Sequence, residues 1–210
     1  MPDDKKVSFD KRYIEKLYIE SLLEVKSEIK GKIQIDDNKK ILLLASGKSV
    51  VDYSSQISSK SNSDEYITIA LNHNPQIECD YYFFSNQKRF DEFHHQLDRS
   101  KIVITSNVIS NIEVDIVLNF KELAFVEDDF ISNVALIAIN YFLSTGKDKI
   151  EIAGLDGYKI DMDNYNYKET SVIIDNKELL AQNEAIQKSL DILKQKIEIN
   201  FLTPSIFNQD

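Results

Sequence analysis

Ile41-Leu42-Leu43-Leu44-Ala45 is an unbroken apolar run of strand length that ends abruptly at Ser46-Gly47-Lys48-Ser49. A strand with apolar side chains on both sides of its pleat has no face to offer water, so it belongs inside a sheet covered above and below. Strand-like runs recur at Tyr66 to Leu71, Asp80 to Phe84, Ile102 to Thr105, Val114 to Leu118, Ile150 to Ala153 and Ile197 to Leu202. Between them, Val50 to Lys60, Lys88 to Leu97, Ser132 to Thr145 and Lys177 to Lys196 read as helices. Alternation of this kind predicts an α/β three-layer sandwich around a mainly parallel sheet. The Ser- and Lys-rich stretch Ser54 to Ser63 reads as a helix end and solvated loop.

The amino-terminal part differs. From about Asp10 to Lys30, Tyr13, Ile14, Leu17, Tyr18, Leu22, Val25 and Ile29 recur at helical spacing among Lys and Glu residues, which predicts an amphipathic helix ahead of the sheet. The polar run Asp36 to Lys40 makes the natural boundary, so residues 1–38 form an amino-terminal helical segment and residues 39–210 the α/β domain. The apolar face of that helix packs on its own domain or docks on another polypeptide, including a second copy of the chain.

Charge and cysteine content narrow the partners. A formal charge of -10 lacks the basic surface needed to displace counterions from nucleic acid, and disfavours anionic membranes likewise. Val134 to Leu143, the most apolar stretch, is too short to cross a bilayer, and the first residues carry no apolar signal-peptide core. Cys79 is the single cysteine, which excludes an intrachain disulfide and suits a cytoplasmic setting. No cofactor is expected. Asp156, Asp161, Asp163 and Asn164 form an acidic cluster of oxygen ligands without the spacing of a calcium loop, and no metal site is assigned to it.

In open α/β sheets, ligands occupy the crevice at the carboxyl ends of the strands. The residues at those positions are polar: Ser46-Gly47-Lys48-Ser49, Asn72-His73-Asn74, Ser85-Asn86, Ser106-Asn107 and Gly154-Leu155-Asp156-Gly157. Asn, Ser and backbone amides bind phosphates, ribose hydroxyls and base edges without net charge, and they are also common turn formers and helix caps. In the first turn, Gly47 suits positive φ or close approach to a phosphate, so that Gly47→Val is expected to obstruct the ligand and spare the fold. Ser132 and Asn133 precede an apolar helix as caps or crevice residues. Lys88 and Arg89 follow Asn86, and His73 is a candidate hydrogen-bond donor or acid/base.

Ile41 to Ser49 and Ser132 to Tyr158 together resemble the Rossmann-like CMP-binding core of bacterial sialyltransferases and the related MptE-like proteins. Over most of the chain, through ILLLASGKSV, IALNHNPQIECDYYFFSNQKRF, IEIAGLDGY, QNEAI and INFLTPS, it resembles the carboxy-terminal domain attached to HMG-CoA-lyase-like aldolases of capsule and O-antigen gene clusters. The resemblance implies a nucleotide or nucleotide-sugar ligand, an aldolase partner and a role in surface-polysaccharide synthesis. It puts Ser46, Gly47 and Ser49 at the phosphates, Asn72 and Asn86 near the phosphates or sugar, and Ser132 and Asp156 along the same crevice. The sialyltransferases carry a histidine before their final helix as general base, whereas Ser171 to Glu184 contains none. A nucleotide-binding domain is therefore the expectation. The alternatives are a CMP-sugar-dependent glycosyltransferase with another base, Asp156 or His73, and a non-enzymatic assembly module.

Overall fold

A computed structural model describes residues 11–124, 126–127, 130–131, 133–160, 164–166 and 176–208. Its centre is a seven-stranded, wholly parallel sheet built from β1 (Lys40–Leu44), β2 (Tyr66–Leu71), β3 (Tyr81–Phe84), β4 (Ile102–Thr105), β5 (Ile116–Leu118), β8 (Lys149–Ala153) and β9 (Glu198–Phe201). A separate antiparallel pair, β6 (Val126–Glu127) and β7 (Phe130–Ile131), lies between β5 and β8 in the chain. The spatial order is β5-β4-β3-β2-β1-β8-β9. The chain thus builds outwards from β1 in one direction and then returns to β1's other side, so the strand order reverses between β1 and β8.

The apolar runs explain the layers. In β1, Ile41, Leu42, Leu43 and Leu44 are all fully buried, and the pleat sends alternate residues to opposite faces. Ile41 and Leu43 join one core with Ile67, Ile69, Ile150 and Ile152, while Leu42 and Leu44 join the other with Ala70, Phe84 and Ala153. Helices α2 (Ser49–Asp52), α3 (Ser54–Ser61) and α4 (Gln87–Phe93) close the second core through Val50, Ile57, Phe90 and Phe93. The first is closed by α5 (Phe120–Leu123), α6 (Val134–Ser144) and α7 (Asn176–Lys194) through residues including Leu136, Ile139, Ile186 and Leu190. The protein is a Rossmann-like α/β sandwich, as the alternating pattern predicts.

Two local expectations are refined. The helix expected over Val50 to Lys60 forms as α2 and α3, and the stretch from Ser54 is helical as far as Ser61, because Ile57 is drawn fully into the core and leaves the polar Ser and Lys positions on the outside. The amino-terminal helix α1 spans Lys11–Leu23 and stops well short of Lys30. Beyond Leu23 the chain is claimed by the sheet: the Lys26 and Ser27 amides both donate to the Ser106 carbonyl at 2.6 and 3.0 Å, and Lys30 exchanges two backbone hydrogen bonds with Val117 of β5. Val25 and Ile29, which continued the helical period, are left exposed.

Residues 24–38 belong to the same packed body as the sheet. Ile33 is 2% exposed, and its amide donates to the Tyr141 hydroxyl of α6 at 3.0 Å. Gly31 sits at φ +66 with the Asp115 carbonyl so close that a Cβ has no room. The Lys147 ammonium gathers the carbonyls of Asp36, Asp37 and Lys39 at 3.1 to 3.2 Å. Tyr141→Phe removes the acceptor from a buried amide, and urea unfolding of this variant should show a loss of about 1–3 kcal/mol.

Candidate functional site

Where the strand order reverses, the connections on either side leave to opposite faces, and a crevice opens between them at the carboxyl edge. Here it lies beyond β1 and β8. The turn after β1 and the turn after β8 cross in contact, with the Gly47 amide donating to the Gly154 carbonyl at 2.8 Å. A Cβ on Gly47 would lie 2.5 Å from the Asp156 carboxylate carbon and still nearer the Gly154 carbonyl oxygen. Gly154 adopts φ +75, its amide takes a hydrogen bond to Thr203 Oγ1 at 2.9 Å, and a Cβ there would strike the Ala45 carbonyl. Both glycines are needed for the two turns to cross.

Asp156 joins the turns electrostatically. Its Oδ2 accepts from the Ser49 amide at 2.9 Å and its Oδ1 from the Ser49 hydroxyl. The start of α2 therefore holds an internal carboxylate where an external phosphate was expected, and the Gly47 and Ser49 amides are both committed. This corrects the phosphate role of Ser49, and it also changes that of Gly47. Gly47 is not among the residues with positive φ, and what approaches it closely is the chain itself. Lys48 points away as an exposed residue before α2.

The crevice has a volume of about 1170 Å³. Of the residues singled out in the sequence, Ser46, Gly47, Asn72, Asn86, Asn133 and Asp156 line it, while Lys48 and Ser49 do not. Ser132 lies outside the described residues, as do Asp161 and Asp163 of the acidic cluster. Three of the asparagines are partly spoken for. Asn72, at φ +59, accepts from the Ser85 amide at 2.9 Å. Asn86 caps α4 by accepting from the Arg89 amide at 3.2 Å, and Asn133 caps α6 through the Leu136 amide at 3.1 Å. Each of these bonds uses the side-chain oxygen, and the Nδ2 donors are separate groups.

His73 is corrected as an acid/base candidate. It is fully buried and does not line the crevice, and its Nδ1 donates to the Leu71 carbonyl at 2.9 Å. Burial, opposed in part by that hydrogen bond, pushes its pKa down to about 4. Cys79 is likewise interior, and burial beside Asp80 pushes its thiol up to about 12.

Several lining residues carry no signal in sequence spacing because they meet only through the fold. Tyr158 and Tyr165 come together with ring centroids 6.4 Å apart. Asn183 of α7, nearly buried, grips Tyr158 at both ends of its peptide unit, accepting from its amide at 2.9 Å and donating to its carbonyl at 2.8 Å. Gln182 beside it lines the crevice. The Arg89 guanidinium pairs with Glu92 at 2.7 Å and stands 5.8 Å from the Tyr165 ring centroid. The described lining holds Lys26, Lys88 and Arg89 against Asp91 and Asp156, and with Arg89 paired to Glu92 the wall carries none of the negative excess of a chain of charge -10. The rest joins the carboxamides Asn72, Asn86, Gln87, Asn107, Asn111, Asn133, Asn164 and Gln182 to a larger apolar set that includes Ile19, Leu22, Ile137, Leu155, Ile186 and Phe207.

Among the described residues, no group of three or more His, Cys, Asp or Glu is arranged to hold a metal ion, and no helix is long and apolar enough to cross a membrane. The site and sheet define a Rossmann-like α/β protein with a crevice of mixed polar and apolar lining where the strand order reverses. No family model matches the chain, and neither the curated proteins nor the solved structures contain a match.

Two outcomes follow from this geometry. Gly47→Val drives a branched side chain into Gly154 and Asp156, so it should lower the urea midpoint strongly, with a loss of about 2 kcal/mol or more, rather than act on a ligand alone. For His73, the unfolded chain binds a proton that the folded protein refuses between pH 6.5 and about 4. Stability should therefore fall as pH drops through that window, by at most about 1.4 kcal/mol per unit, and urea titrations of His73→Gln should lack this component.

Proposed function

We propose that the crevice binds a nucleotide or nucleotide-sugar of cytidine type, and that the protein serves surface-polysaccharide synthesis alongside an aldolase activity. The observation that carries the ligand class is the lining itself. Eight carboxamides and the rings of Tyr158 and Tyr165 line the crevice where the strand order reverses. Gln87, Asn107 and Asn164 have both ends of their amides bonded within the chain, so recognition falls to Asn72, Asn86, Asn111, Asn133 and Gln182 with the two rings. Carboxamides match the paired donors and acceptors of base edges and sugar hydroxyls, and aromatic rings with polar tips suit a ligand that is part apolar plane and part hydroxyl. The cytidine base comes from the resemblance of Ile41 to Ser49 and Ser132 to Tyr158 to CMP-binding cores, and the polysaccharide setting and the aldolase from the resemblance of most of the chain to the carboxy-terminal domain of HMG-CoA-lyase-like aldolases.

Binding is favoured over sugar transfer because the two candidate bases are engaged elsewhere. Asp156 has both carboxylate oxygens on Ser49, and His73 is sealed beneath the sheet edge. A general base needs to reach the acceptor hydroxyl in a form able to take its proton. The commitment of Asp156 also moves the ligand's phosphate away from the start of α2, since a second anion there would face the carboxylate.

Isothermal titration with CMP, CDP, UDP and a CMP-sugar tests the proposal. Saturable binding below millimolar concentration, strongest for the cytidine series, is the expected result, and no heat from any of them at millimolar ligand would reject it. Tyr158→Ala, whose backbone is still clamped by Asn183, should weaken binding at least about tenfold while circular dichroism stays native.

A further inference from the structure

The central sheet ends in two edges, β5 and β9, and the chain treats them differently. At β5, Lys30 exchanges two backbone hydrogen bonds with Val117 and covers the strand. At β9, the Glu198 amide donates to the Asp148 carbonyl and the Leu202 amide to the Ile152 carbonyl, both at 2.8 Å. A parallel pair uses alternate residues, so the even-numbered positions of β9 face β8, and the amides and carbonyls of Ile199 and Phe201 point away from the sheet. Among the described residues, none bonds to these outward groups.

The usual protections of an open edge are also sparse along β9. The strand holds no proline, and its one charged side chain, Glu198, sits at its start, paired with Lys149 at 2.8 Å. Ile199 and Phe201 pack against the first core but are only partly buried, while Glu198 and Asn200 alternate to the other face.

We propose that β9 is a homodimer interface, pairing antiparallel with β9 of a second copy about a two-fold axis at Asn200, so that two seven-stranded sheets join into one. The strand is self-complementary in this register. Ile199 of each copy lies opposite Phe201 of the other, and each such pair exchanges both backbone hydrogen bonds, which uses every outward group on both chains. The same pairs bring a β-branched and an aromatic side chain together on the face where both are partly exposed. Charge permits the contact, because the two Glu198 residues fall at opposite ends of the ladder, ~14 Å apart, and each keeps its own Lys149. A foreign extended peptide would meet the same backbone row, but a second copy supplies the Ile199–Phe201 match twice by symmetry. The inference is independent of what the crevice binds, and it places the second copy at the edge opposite the one that the amino-terminal segment covers.

Cross-linking and light scattering of the full chain test it. On the axis, Asn200 faces Asn200 of the second copy in a non-hydrogen-bonded pair, whose Cα atoms stand ~4.5 Å apart, within disulfide reach. Cys79, the single native cysteine, is buried, so a thiol placed on β9 reports alone. Under mild oxidation Asn200→Cys should form a covalent dimer at least about tenfold faster than Glu198→Cys, whose thiols the register holds apart. Light scattering of the native chain should show a concentration-dependent dimer. Ile199→Pro removes an outward amide that the fold itself does not use, and it should weaken that dimer at least about tenfold while circular dichroism stays native. A chain that stays monomeric up to about 100 μM overturns the homodimer in favour of an extended segment of another protein. A dimer that Asn200→Cys does not capture, or equal cross-linking at Glu198→Cys, overturns it in favour of another surface or register. Should Ile199→Pro fail to fold, the contrast between the two cysteine variants decides alone.

Discussion

Two glycines in contact set the geometry of this protein. Where β1 and β8 end side by side, the chain must leave one strand for each face of the sheet, and the departing turns cross within hydrogen-bonding distance. Gly47 and Gly154 supply that closeness, the amide of one meeting the carbonyl of the other. Asp156 then binds the Ser49 amide and hydroxyl, tying the turn after β8 to the first residue of α2. The crevice is the space left by this crossing. Its floor is therefore held by internal hydrogen bonds and keeps the charge of Asp156, with carboxamides, tyrosines and lysines around it.

This arrangement explains why the fold was legible in the sequence and the site only partly so. A strand buried on both faces must be apolar at nearly every position, so the inner strands appear as runs, Ile41 to Ala45 first among them, while edge strand β9 is only partly buried and lies within the mixed run Ile197 to Leu202. Burial at each run is a local property. Partnership is not: that Asp156 meets Ser49, 107 residues away, depends on β8 returning to the side of β1, and no spacing encodes it. The same holds for Asn183 and Tyr158, or Lys26 and Ser106. Histidine at the end of β2 looked reactive because it sat among polar turn residues, but the polar neighbours face outwards while His73 turns into the protein.

The end of α1 illustrates the opposite failure, in which local periodicity is real but loses. Val25 and Ile29 continue the apolar spacing of Tyr18 and Leu22, yet the backbone leaves the helix after Leu23. Edge strand β5 offers Lys30 two hydrogen bonds through Val117, and the Ser106 carbonyl accepts from two successive amides. Helical propensity at each residue is worth only tenths of a kcal/mol, less than the roughly 1 kcal/mol of a single net hydrogen bond. Covering the β5 edge also removes a row of unpaired backbone groups that another chain could pair with. The amino-terminal segment thus protects the sheet and shapes the crevice with one set of contacts.

Electrostatics then separates recognition from reaction. An acidic chain repels anions at long range, but within a Debye length of about 8 Å at physiological ionic strength the local lining decides. Locally the lining is balanced, with Lys26 and Lys88 against Asp91 and Asp156 once Arg89 is matched by Glu92. An anion entering it therefore meets no net repulsion from the wall. Proton transfer asks for something else, a carboxylate or imidazole facing the ligand and held by few other partners. Asp156 is tied down by the contact that creates the crevice, so releasing it for chemistry would loosen the crossing of Gly47 and Gly154. The contact that fixes the crossing of the two turns is the one that occupies both oxygens of the central carboxylate.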